Sequence, residues 1–115
     1  MRIDVRGRNT QVDDELRAHV EKRFAKIARQ VSELAQLNVE LSEERNPANP
    51  DRQVAEATMY LKGATLHAHE ASPDMLHSIR LMADDMGRQV KRHREKRRRR
   101  SQARRFAARL RRREA

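Results

Sequence analysis

A chain of 115 residues has room for one small domain and at most an appendage. Aromatic residues are only 3%, so any core is built from Val, Ile, Leu, Met and Ala, and the absence of cysteine excludes disulfides, thiolate nucleophiles and thiolate metal sites. The net charge of +10 is uneven: residues 1–85 hold 12 Lys/Arg against 15 Asp/Glu, and residues 86–115 hold 15 against 2. A near-neutral body with a strongly cationic end is an electrostatic footprint for a polyanion, either nucleic acid or an anionic membrane surface.

The opening "RIDVRG" alternates, with Ile3 and Val5 on one face, and predicts a half-buried strand followed by a turn over Gly7 to Thr10. Asp13 is a candidate N-cap, with Asp14 and Glu15 in a first turn where negative charge suits the helix dipole. Val12, Leu16, Val20, Phe24, Ile27, Val31 and Leu34 follow at spacings of three and four, the stripe of an amphipathic helix. "LNVELSEE" alternates again through Leu37, Val39 and Leu41, and the two Asn-Pro steps of "NPANPD" predict an exposed loop. "VAEATMYLKG" reads as a third strand burying Ala55, Ala57, Met59 and Leu61, and "TLHAHE" as a fourth burying Leu66 and Ala68.

In "SPDM", Ser72 is expected to cap a second helix with Pro73 at its first position, where the missing N–H costs nothing. Met75, Ile79, Met82, Met86 and Val90 then share one face, and the next positions on that face are His93, Arg97 and Arg100. The helix therefore loses its apolar stripe after about Val90. The order predicts an α+β fold, a βαβββα two-layer sandwich. In it a four-stranded sheet carries both helices on one face, and the second helix extends into a basic C-terminal tail. The expected division is a domain over residues 1–97 and an Arg-rich tail over 98–115, either helical or disordered until bound.

Lys22, Lys26 and Arg29 lie opposite the first helix's stripe, and Arg88 and Arg92 opposite the second's, with Lys91, Arg94, Lys96 and Arg97 completing a basic surround. Each set alone reads as an ordinary solvated face, but helices covering the same sheet face would bring the two sets onto one surface. Arginine dominates, and its planar paired donors match phosphate oxygens. Such contacts position a protein on RNA without reading sequence and make binding fall steeply with salt.

His67 and His69 share a strand face but have no evident third ligand, so no metal site is expected. Glu43 and Glu44, or Asp84 and Asp85, are neighbours whose side chains point apart. No Gly-rich phosphate loop or nucleophile elbow is present, so no enzymatic activity, cofactor or small-molecule substrate is expected. No apolar run approaches the roughly 20 residues of a membrane span, and "MRIDVRGRN" has no signal-peptide core, so a soluble cytoplasmic protein is the expectation. Phe106 and Leu110 bury too little area for the tail to act as a membrane helix.

"GRN" at 7–9, "LR" at 16–17, "KGATLHAHE" at 62–70, "DM" at 74–75 and "RQVKRHREK" at 88–96 occur in an order and spacing that resemble the ribosome hibernation-promoting factor and ribosome-associated translation inhibitor family, over residues 1 to about 97. The resemblance implies a fold like that of double-stranded RNA-binding domains, seated on the 30S subunit, alone or in the 70S ribosome, between head and body. There it would contact 16S rRNA and compete with mRNA and with tRNA at the A and P sites, holding ribosomes idle in starvation or stationary phase. The family's RNA-facing basic positions correspond to Lys22, Lys26, Arg88, Arg92, Arg94 and Lys96. Two departures stand out: Asp85, where relatives usually carry lysine, and Gly87 inside the second helix. Long members add a dimerising carboxy-terminal domain, so the chain is either a short form or the first part of a long one. A general RNA- or DNA-packaging protein, or a module whose tail binds an acidic protein, are the rival readings.

Overall fold

A computed structural model describes residues 1–114. The elements are β1 (Arg2–Arg8), α1 (Asp14–Ala28), β2 (Gln36–Glu43), β3 (Gln53–Leu61), β4 (Ala64–Ser72) and α2 (Met75–Glu114). The sheet order is β1-β2-β3-β4, with β1 parallel to β2 and the other two pairs antiparallel. The α+β architecture expected from the alternating and helical periods is the one observed.

The period of two decides which face is dry. Leu37, Val39 and Leu41 on β2, Ala55, Ala57 and Met59 on β3 and Ala68 on β4 are all buried, and register sets Leu37 opposite Met59 and Val39 opposite Ala57. Val20, Phe24 and Ile27 of α1 and Met75, Ile79, Met82, Met86 and Val90 of α2 close on that face in one cluster. Both helices therefore cover the same side of the sheet, and they touch. Ile27 Cδ1 lies 3.7 Å from where a Cβ on Gly87 would stand.

Three local expectations are corrected. Gly7 belongs to β1, paired with Leu41, and the chain turns after it through Asn9 at φ 58°. Gly7 is nonetheless required, because a Cβ there would meet the Thr10 carbonyl oxygen at 2.4 Å. Asp13 does cap α1, its carboxylate accepting from the Leu16 N–H at 2.8 Å, but α1 stops at Ala28 with Arg29 as C-cap, short of Val31 and Leu34. Leu34 is 92% exposed, not part of a buried stripe. Ser72 ends β4, and Asp74 caps α2, accepting from the His77 N–H at 3.2 Å. The buried Ser72 hydroxyl instead lies 2.7 Å from Ser78 Oγ, and Ser78 donates to Gln53 O at 2.6 Å, which ties the start of α2 to β3.

α2 runs 40 residues without a break, about 60 Å at 1.5 Å per residue. Its first half packs on β3, β4 and α1. From Arg98 to Arg113 it is exposed throughout, apart from a half-buried Ala108. A free peptide of that length would pay a helix-nucleation cost. Here the packed half supplies the nucleus, and Ala, Arg and Gln propagate it well.

Candidate nucleic-acid interface

The two sheet faces differ in chemistry. On the open face, Arg8 pairs with Glu40 at 3.3 Å and His69 Nε2 lies 3.2 Å from Glu56 Oε1, so its charges are of mixed sign and some are paired. His67 Nδ1 meets Thr58 Oγ1 at 3.1 Å. The histidine pair is thus occupied within the sheet, and among the described residues no group of three or more His, Cys, Asp or Glu is placed to hold a metal ion. Among those residues, too, no helix is long and apolar enough to cross a membrane.

The helical side carries the candidate cations. Lys22, Lys26 and Arg29 are exposed on α1, the last at its C-cap, and Arg88, Lys91, Arg92, Arg94, Lys96 and Arg97 are exposed on α2. Ile27, near the end of α1, faces Gly87, so the residues one, two and three turns beyond Gly87 run on past the end of α1. Lys91, Arg94 and Arg98 accordingly line a groove with Gln30, just past the end of α1. Lys26, one turn before Gln30, is exposed but does not line the groove. Arg98 was missed as a groove residue because it was read as tail. The spacing 91, 94, 98 on one helix face was the available signal.

Arg88 and Arg92 stand on the other flank of α2, with Asp85 and Gln89. Gln89 Nε2 donates to His67 O of β4 at 2.7 Å and to Asp85 Oδ2 at 3.2 Å, and Asp85 Oδ1 lies 3.7 Å from Arg88 Nη2. The candidate cations of α2 therefore divide, Lys91 and Arg94 lying toward Gln30 and Arg88 and Arg92 toward β4, with Arg97 over the end of the sheet, rather than forming one contiguous cluster. Asp85 partly neutralises the β4 side, and Glu95 interrupts the Gln30 side.

A small α+β module with a mixed-charge open sheet and a cationic helical side is the class of protein this geometry defines. The family model described as "Sigma 54 modulation protein / S30EA ribosomal protein" matches residues 3–98, and the chain belongs to that family. A ribosome hibernation promoting factor of Azotobacter vinelandii is 30% identical over 96 residues, covering 84% of this chain and 85% of the relative. A ribosome hibernation promotion factor of Picosynechococcus is 30% identical over 97 residues. The chain spans 50% of that relative's length. The crystal structure of the N-terminal domain of Thermus thermophilus Protein Y superposes with a TM-score of 0.69 at 29% identity, covering 81% of this chain and 99% of that domain. A ribosomal subunit interface protein from Coxiella burnetii shares the fold at 19% identity, again with a TM-score of 0.69.

Proposed function

We propose that the chain is a non-enzymatic, cytoplasmic ribosome-binding protein that modulates translation by occupying space. The supporting observation is the pair of packed helices bearing exposed Lys and Arg residues, in a chain whose relatives are named for ribosome hibernation. In this reading Lys22, Lys26, Arg29, Arg88, Lys91, Arg92, Arg94, Lys96 and Arg97 anchor on 16S rRNA phosphates of the 30S subunit or 70S ribosome. The folded body then fills the channel that mRNA and the A- and P-site tRNAs need. Residues 1–97 act as the binding domain and 98–115 as an additional cationic arm, whether the chain is a short form or the first part of a long one.

Steric occlusion implies competition. Excess mRNA with initiator tRNA is expected to displace the protein from purified 30S subunits in a sedimentation assay. Unchanged occupancy in the presence of both rejects occlusion. The projecting Arg-rich half of α2, beyond the matched residues, favours one second reading, a general nucleic-acid packaging protein. That reading predicts equal affinity for naked duplex and for ribosomes at the same salt.

A further inference from the structure

We propose that the cavity at the end of the sheet, roofed by His93 and Arg97 of α2, seats one unstacked nucleotide of an RNA strand. Its base would lie against an apolar floor and its phosphate on a cationic rim. This deepens the ribosome-binding reading and rests on it for the identity of the strand.

The cavity follows from where the apolar stripe of α2 ends. Val90 is its last buried member, and His93 and Arg97 continue the same face beyond the core. They overhang a space of about 590 Å³, within the usual range for small-molecule pockets. Val31 and Leu61, both packed against the core, form its floor with Val90, while Leu34 is 92% and Tyr60 47% exposed at its edge. Two large apolar side chains left to water beside a hollow are surface suited to stacking a base.

Two polar features say what kind of occupant fits. The His93 ring lines the cavity, and its Nε2, buried and without a hydrogen-bond partner, comes within reach of an occupant only when the ring turns. An imidazole nitrogen can donate or accept according to tautomer, which suits the edge of a base. Around the mouth stand Lys62, Arg94 and Arg97, and no acidic residue lines the cavity, so the occupant is anionic. A strand is favoured over a free metabolite because the cavity shares Gln30, Arg94 and Arg97 with the groove that leads on to Lys91 and Arg98. A phosphate backbone leaving the cavity thus meets further cations, with Glu95 among them.

Tyr60 is the one tyrosine of the chain, so its ring signals in a proton NMR spectrum report on this cavity without ambiguity. The full chain is titrated with 5′-phosphorylated tetraadenylate and tetrauridylate, and in parallel with ribose 5-phosphate, a short RNA duplex and tetraglutamate. The single strands are expected to shift the Tyr60 signals saturably, and the other three to leave them in place. Leu34→Ser, at a site too exposed to affect folding, and His93→Ala should each weaken the single strands about tenfold, the scale of losing one base–protein stacking contact. Equal shifts from ribose 5-phosphate or tetraglutamate would show that the cavity reads charge alone and overturn the proposal. So would tetranucleotide binding that leaves Tyr60 unmoved. Co-sedimentation of the unaltered chain with 30S subunits separates the two levels. If it holds while Tyr60 stays silent, only the cavity proposal fails, whereas if it is absent the ribosomal reading fails.

Discussion

Two glycines make opposite demands on their surroundings. Gly7 has a backbone oxygen, that of Thr10, at 2.4 Å from the place of a Cβ, and a carbonyl held by the following turn cannot move aside cheaply. Gly87 meets only Ile27 Cδ1 at 3.7 Å, an ordinary contact distance. Gly7→Ala should therefore destabilise the fold by about 1–3 kcal/mol, as overpacking does. Gly87→Ala should stabilise it by up to about 1 kcal/mol through helix propensity alone. Thermal unfolding followed by circular dichroism checks both, with midpoints expected to move in opposite directions. The need for Gly7 is invisible in the sequence, where it reads as a turn residue, because the close approach depends on how the next three residues double back. The departure at Asp85 was legible as a lost lysine. Its hydrogen bond from Gln89, itself bonded to the β4 backbone, was not, since it depends on the docking of α2.

At the scale of elements, periodicity carried most of the information. The buried positions of β2, β3 and α2 fall where alternation and the spacings of three and four put them, since burying one face is what selects those patterns. The ends were less legible. Val31 and Leu34 continue the α1 spacing, yet the helix stops at Ala28 and Leu34 turns to solvent at the rim of a cavity. Ser72 resembles a cap in sequence, but a buried hydroxyl pair with Ser78 holds it in β4. The exposure of the candidate cations was legible one by one, and their division along α2 was not, because it depends on which flank of α2 meets α1. The outer half of α2 touches no other element, so deleting residues 98–115 should leave the thermal midpoint within a degree or two. The same deletion should weaken binding to 30S subunits and flatten its salt dependence. A collapse of stability on deletion would mean that the arm belongs to the core.

The whole molecule is elongated, 69 × 27 × 17 Å with a radius of gyration of 18.5 Å, where a compact chain of this length would have about 13 Å. The excess is α2 reaching past the sheet. Charge follows shape: the body is close to neutral and the rod is cationic, so an approaching polyanion meets the helical side and the arm first. In the proposed reading the arm and the helical faces of the body contribute separately to attachment, and the central claim concerns the body. It is tested most directly by the slope of log affinity for 30S subunits against log salt. The full chain is compared with a variant in which Lys22, Lys26, Arg88 and Arg92 are all alanine, positions exposed enough to leave the fold unchanged. If all four sit on phosphates, the slope should become shallower by about three, at 0.7 to 0.9 per contact. An unchanged slope and affinity would contradict the account, because all the binding would then reside in the arm and the paired helices would not be its seat.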